Sequence, residues 1–377
     1  MKNIISLGVL LLFLLFSCQN NENNNENKTV NNDSIIAKKQ NIEDKSDSSV
    51  IQENNETLTQ ENSTDNKKIK QTVKLTLWND TENKKRIIKF VSEVTNPDSK
   101  SFIPESDRIA CFDNDGTLWP EKPTYFQIEF VLDRITEMYK NHPEWEKNKL
   151  YKTAIAHDLK KLREKYGIKG LNKLMATALS GMTTSEYEEI VHNWIMTAKH
   201  RETGILYKDM AYKPMIEFVD YLKANGFKIY MVSGGGTNFI RVWAEDVYGI
   251  PKENILGSLS RLKYEKIDGK PVLMRLPEIT FTNDKENKVV SIYQSIGRKP
   301  VIAVGNSDGD LQMLEWCSSN AYKSLPMLIH HTDSIREWSY DRNSRVGRLD
   351  KALDEAIGKN WLVVDMKNDW KVIYNNP

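Results

Sequence analysis

Residues 109–118 read Ile-Ala-Cys-Phe-Asp-Asn-Asp-Gly-Thr-Leu: four apolar residues, two acids around an asparagine, then a glycine. An unbroken apolar run of this length suits a strand buried on both faces, the kind found in parallel sheets covered by helices. Gly116 lets the backbone turn sharply just past the acids. Asp113 and Asp115 lie two residues apart at the strand end, so their side chains face the same way. At about 5 to 7 Å apart they can share a divalent cation, or divide labour so that one attacks while the other moves a proton. Taken alone, the segment also reads as a strand running into an Asp-rich turn, and the later motifs have to decide.

Residues 227–236, Phe-Lys-Ile-Tyr-Met-Val-Ser-Gly-Gly-Gly, form a second apolar-rich strand ending in a hydroxyl followed by glycines. The Ser233 hydroxyl and the Gly234 amide can both donate to phosphoryl oxygens, and glycine lets the backbone approach them closely. Residues 301–313, Val-Ile-Ala-Val-Gly-Asn-Ser-Asp-Gly-Asp-Leu-Gln-Met, repeat the design: a buried strand, a polar loop with two acids, then a helix start. Between them stand Lys285 and Lys288, in the stretch Asn-Asp-x-x-x-Lys-x-x-x-Ile from Asn283 to Ile292.

In this order the segments resemble the four signatures of the haloacid dehalogenase superfamily, in its phosphatase branch and, around Lys288, a phosphoserine-phosphatase-like group. The resemblance covers about residues 75–377. It implies that Asp113 is the nucleophile that becomes an aspartyl phosphate, that Asp115 is general acid and then general base, and that Thr117 helps to fix the loop. It implies further that Ser233 and Gly234 hold the phosphoryl group and that Lys288 neutralises charge, with Lys285 as the alternative. The cofactor it implies is Mg²⁺, held by Asp113, Asp115, Asn306 and Asp310, with Asp308 as an additional candidate. There is one departure: the family usually has Asp where this chain has Asn306, so the site loses one negative charge, although an amide oxygen can still coordinate Mg²⁺. The activity expected is Mg²⁺-dependent hydrolysis of a small phosphomonoester, phosphoserine-like or phosphorylcholine-like. The alternatives are a phosphotransferase or phosphomutase of the same superfamily, which differ in the acceptor, and a non-catalytic surface-binding lipoprotein.

The amino terminus carries an address. Lys2, an apolar core from Ile4 to Phe16, and Leu15-Phe16-Ser17-Cys18 resemble a bacterial lipoprotein signal over residues 1–18, with Cys18 as the lipidated residue. Simple secretion or a retained anchor is the alternative. Residues 19–70 are dominated by Asn, Glu, Lys, Ser, Asp and Thr, without an aromatic residue, and cannot bury enough apolar surface to offset the entropy of ordering. They read as a flexible tether. The expected location is therefore extracytoplasmic, in the bacterial cell envelope, lipid-anchored to a membrane.

Residues 71–377 are enough for one α/β core with an inserted subdomain. Alternating strand and helix signals predict a Rossmann-like, doubly wound parallel sheet with ligands at the carboxyl ends of its strands. A helix is predicted over Pro214–Asn225, and strands over Leu325–Ile329 and Trp361–Val364. About residues 120–210 are charged and rich in helix formers, and resemble the family's α-helical cap, with Glu121, Lys122 and Gln127 as rim or specificity residues. The net charge of +1 shows no basic face, so nucleic acid is not an expected partner. Of the three cysteines, Cys111 and Cys317 are expected to pack as small apolar residues. His330 and His331 sit side by side on a strand, point to opposite faces, and cannot chelate together; a loop-supporting role near the site is expected. Trp78, Trp119 and Trp370 are expected to pack in the core, and Arg336, Arg342 and Arg345 to be solvated or ion-paired.

Overall fold

A computed structural model describes residues 74–374. The signal segment with Cys18 and the whole of the tether lie outside those residues. At the centre is a seven-stranded sheet in the order β4-β3-β2-β1-β5-β6-β7. The strands are β1 Ile109–Phe112, β2 Lys228–Gly236, β3 Ile255–Ile267, β4 Lys270–Phe281, β5 Ile302–Gly305, β6 Leu325–His330 and β7 Leu362–Asp365. All neighbours pair in parallel except β3 and β4. The expected doubly wound sheet is present, and the antiparallel β4 at one edge is its one departure from parallel order.

The apolar run of β1 has a direct structural cause. Ala110 and Phe112 pack into the core on one face, while Ile109 and Cys111 pack into a second cluster on the other. With β2 and β5 hydrogen-bonded on either side, every β1 side chain is buried. Phe112 pairs with Met231 and Val304, and the Asp113 amide continues the ladder to the Val304 carbonyl at 2.9 Å. This register delivers Asp113, Ser233 and Asn306 to neighbouring strand ends, where open α/β sheets bind ligands.

Helix Lys213–Ala224 enters β2, as its Met215, Phe218, Val219 and Leu222 spacing predicts; all four are buried. Cys111 and Cys317 are buried free thiols. Trp78, Trp119 and Trp370 are at most 1% exposed. Among the described residues, no helix is long and apolar enough to cross a membrane.

The segment between β1 and β2 is helical, with helices Phe126–Tyr139, Gly167–Leu179 and Thr184–Thr197 as its longest pieces. The last begins in a capping box: the Thr183 hydroxyl accepts the Glu186 amide at 3.2 Å, and the Glu186 carboxylate accepts the Thr183 amide at 2.7 Å. Beside these helices stands a β3–β4 hairpin that the sequence reading did not identify. Its turn is Asp268–Gly269, both with positive φ (50° and 76°), the conformation a two-residue hairpin turn requires. Arg275 on β4 ties the hairpin to the helical segment, its amide donating to the Met182 carbonyl at 2.9 Å and its carbonyl accepting from the Gly181 amide at 3.0 Å.

Candidate functional site

Asp113 is 7% exposed and one of its oxygens accepts a hydrogen bond from Lys288 Nζ at 2.7 Å. The same ammonium donates to Asp310 Oδ1 at 2.6 Å, so one buried cation joins two buried acids. Lys288 is 2% exposed, one helical turn into helix Glu286–Ile296. Lys285, just before that helix, adopts φ 54° and is half-buried. The geometry thus selects Lys288 of the two candidates.

Asp310 shapes its loop with its second oxygen, which accepts the amides of Asn306 (3.0 Å) and Ser307 (3.1 Å). Asp308 turns elsewhere: its carboxylate accepts the amides of Asp350 and Ala352 at the start of helix Lys351–Gly358. Asp115 accepts the Trp119 indole N–H at 2.7 Å, a contact that the packing role expected of Trp119 did not include.

Thr117 donates to Asn306 Oδ1 at 3.1 Å, and Asn306 Nδ2 donates to Glu121 Oε1 at 2.7 Å. Ser233 is fully buried and its oxygen accepts the Gly235 amide at 3.0 Å. Gln127 accepts the Gly236 amide at 2.9 Å, which fixes the glycine-rich end of β2. Lys122 is not a rim residue. Its ammonium donates to the Val346 carbonyl at 3.0 Å and to Ser344, and sits 4.0 Å from the centre of the Tyr340 ring.

His331 and His330 face apart, as expected. His331 is 1% exposed, with Nε2 2.7 Å from the Gly116 carbonyl and Nδ1 3.2 Å from Glu337, so it braces the turn that follows Asp115. Arg336 pairs with Asp333 and Arg342 with Asp350 and Asp354, while Arg345 is exposed.

These strand ends open into a cavity of about 160 Å³, close to the ~150 Å³ that takes up a benzene-sized guest. Asp113, Asp115, Glu121, Gln127, Gly234 and Lys288 line it; Thr117, Ser233, Asn306 and Asp310 lie behind that lining. The helical segment and the hairpin add Met175, Leu179, Tyr187, Leu259, Ile279 and, from β4, Arg275, and Asp284 adds a further acid to the lining. Arg275 is 4% exposed and has no carboxylate partner among the described residues. Its guanidinium meets only the Leu179 carbonyl (2.9 Å), the Asn238 amide oxygen (3.3 Å), the Ser260 hydroxyl (3.4 Å) and, at 3.7 Å, the face of Tyr187. Sequence reasoning missed Arg275, although an Asp-Gly pair between strand-like runs was the available signal for its hairpin.

Buried acids outnumber cations here. Burial, with the charge of Asp310 next, pushes the Asp113 carboxyl up to about 8 against the pull of Lys288. Burial pushes Asp115 to about 6, opposed by the Trp119 hydrogen bond. Glu121 is raised by burial and by its acidic neighbours. Lys288 is held protonated: burial disfavours its charge, but Asp113 and Asp310 more than offset that. Among the described residues no three His, Cys, Asp or Glu side chains converge on a metal position. The donors at hand are instead mixed oxygens, carboxylates with the Asn306 amide, inside a site with surplus negative charge. That chemistry fits a hard divalent cation such as Mg²⁺.

No curated protein matches this sequence. Among solved structures, the chain is similar to a conserved protein of unknown function from Anaerococcus prevotii, at 16% identity over 73% of this chain and 88% of that one, with a TM-score of 0.44. It is similar also to a protein of unknown function from Bordetella pertussis (14% identity, 69% and 99% covered, TM-score 0.43). A third is a phosphoserine phosphohydrolase-like protein from Francisella tularensis (17%, 67% and 99%, TM-score 0.35). The sequence model for haloacid dehalogenase-like hydrolases matches residues 110–315, over half of the 377 residues, from within β1 to the helix after β5. This chain belongs to the haloacid dehalogenase-like hydrolase family.

Proposed function

We propose that the chain is a Mg²⁺-dependent phosphomonoester hydrolase that works through an aspartyl phosphate on Asp113. The observation that carries this reading is a buried carboxylate at the end of the central strand, 2.7 Å from a buried lysine and two residues from a second acid held near pH 6. A nucleophilic carboxylate meeting a phosphate dianion needs positive charge beside it, and Lys288 supplies part of it. A bound Mg²⁺, held by Asp113 and Asn306 among other oxygen donors, would add to that charge stabilisation.

The chain's own groups then divide the work. Asp113 attacks phosphorus in line while the Ser233 hydroxyl and the Gly234 amide hold the phosphoryl oxygens. Asp115, whose protonated form is favoured by burial and prevails below about pH 6, gives its proton to the leaving alkoxide; once ionised, it takes a proton from the water that hydrolyses the acyl phosphate. Trp119 keeps that carboxyl aimed. The helices and hairpin cover the cavity, and limit water around the acyl phosphate.

Arg275 bears on the substrate. A buried guanidinium without a counter-ion is costly, and an anion on the leaving group would relieve it. This favours a phosphoserine-like substrate over a phosphorylcholine-like one. In the same reading the enzyme is exported and held by lipid on Cys18 at a membrane of the bacterial envelope, with residues 19–70 as spacer. The test is hydrolysis of an aryl phosphate by the full chain with and without Mg²⁺, beside Asp113→Asn. Metal-dependent turnover that the variant loses by at least ~10³-fold supports the proposal; turnover retained by the variant ends it.

A further inference from the structure

We propose that Ser258, held in turn by Asn283, is a positioning residue for phosphoryl transfer: it fixes the Gly234–Gly235 peptide and, through that peptide, leaves the Ser233 hydroxyl free to donate. The inference rests on the phosphatase reading above, in which Ser233 holds a phosphoryl oxygen.

The end of β2 is irregular where it has to meet a ligand. Val232 pairs with Leu256 and Gly236 with Ser258, so four steps along β2 match two along β3. Residues 233–235 therefore bulge out of the ladder, and their backbone groups need partners other than sheet neighbours. β3 comes close to them at Gly257, where a Cβ would lie 2.6 Å from the Gly235 carbonyl oxygen and 2.8 Å from the Thr237 amide nitrogen. Only a residue without a side chain allows that approach, and it carries the next residue, Ser258, to the bulge.

There the Ser258 hydroxyl donates to the Gly234 carbonyl at 2.7 Å. A hydroxyl has one hydrogen; the Asn283 amide donates to Ser258 Oγ at 3.0 Å, so that hydrogen is directed away from Asn283 and onto the carbonyl. Asn283 is itself firmly held. It is fully buried, its Nδ2 donates to the Leu256 carbonyl at 2.9 Å, and its Oδ1 accepts the Ser291 hydroxyl at 2.7 Å. Ser291 and Lys288 share helix Glu286–Ile296. One chain of hydrogen bonds thus runs from the lysine-bearing helix to the bulge.

The consequence falls on Ser233. The Gly234 carbonyl and the Gly235 N–H belong to one planar trans peptide and point in opposite directions. With the carbonyl tied to Ser258, the N–H is turned to Ser233 Oγ, which accepts it at 3.0 Å. Ser233 then keeps its own hydrogen for a phosphoryl oxygen. Were the peptide rotated by half a turn, its carbonyl would take the place of that N–H and capture the Ser233 hydrogen instead.

The experiment is a double-mutant cycle on the full chain: wild type, Ser258→Ala, Ser233→Ala and the double variant. The readouts are kcat/KM for p-nitrophenyl phosphate and the inhibition constant of inorganic phosphate. Ser233→Ala should lose about 10²-fold in kcat/KM, as removal of one preorganised donor does. Ser258→Ala should lose on the order of tenfold in kcat/KM and weaken inorganic phosphate by about threefold or more. In the Ser233→Ala background the same change should cost less than about twofold, because the group through which Ser258 acts is gone. Ser258→Thr, which keeps the hydroxyl, should stay within about threefold of wild type. With an active wild type, losses that simply multiply, or a Ser258→Ala enzyme equal to wild type, overturn the inference alone. A wild type without phosphatase turnover overturns the reading beneath it as well.

Discussion

The strand-end wall of the cavity is a set of buried acids, amides and hydroxyls bonded to one another around Lys288, whereas the helix-and-hairpin wall is apolar apart from Tyr187, a few neutral polar groups and the single cation Arg275. In the proposed reading the first wall handles the group common to every phosphomonoester, and the second meets only the leaving group. The contrast separates chemistry from selection, so variants in the two walls should fail differently.

The largest effect belongs to Lys288→Met. It should lower kcat/KM by about 10³-fold or more whatever the leaving group, because the charge beside the nucleophile disappears. It should also destabilise the fold by about 3–5 kcal/mol, read from the denaturant midpoint, since Asp113 and Asp310 stay buried without a counter-ion. A loss confined to one substrate would erase the division between the walls.

Arg275→Gln should do the converse. Losing a charge-assisted contact of about 1.5–3 kcal/mol raises KM for a phosphomonoester with an anionic leaving group by roughly 10- to 100-fold. With p-nitrophenyl phosphate the change should stay within about twofold. Equal losses on both substrates would make Arg275 a strut between the hairpin and residues 179–182 and nothing more.

Trp119→Phe should have the smallest effect, and one specific to pH. Asp115 must be protonated to serve the leaving group, so kcat/KM in the wild type should fall as pH rises through about 6. The indole N–H favours the ionised carboxylate, so its removal should move that limb upward, with kcat/KM at low pH changed by only about 2- to 10-fold. An unmoved limb would show that another group sets the profile.

The strand-end wall was legible in the sequence because each of its parts is local. A buried strand and the turn after it occupy adjacent residues, so Asp113, Ser233 and Asn306 announce themselves without knowledge of their neighbours. What decides between near-equals is tertiary. Asp308 and Asp310 differ by two residues, yet one caps the helix at Lys351 and the other grips Lys288. Lys285 and Lys288 differ by a helical turn, and only the second reaches Asp113. Glu121 could be suspected from its closeness to the first motif, but its bond to Asn306 joins segments that no local pattern relates. The other wall was less legible for the same reason. Its helices follow from composition and capping, whereas Arg275 faces the cavity through pairing between a hairpin and a loop almost a hundred residues earlier.

Chemical trapping tests the central claim most directly. The full chain with Mg²⁺ and substrate is quenched during turnover, reduced with borohydride to convert any acyl phosphate to the corresponding alcohol, and mapped by peptide mass spectrometry. Conversion of Asp113, and its absence in Asp115-containing peptides from an Asp113→Asn sample, is the predicted result. Sustained turnover with Asp113 unmodified at every quench time, or modification at Asp115 in its place, would contradict the account.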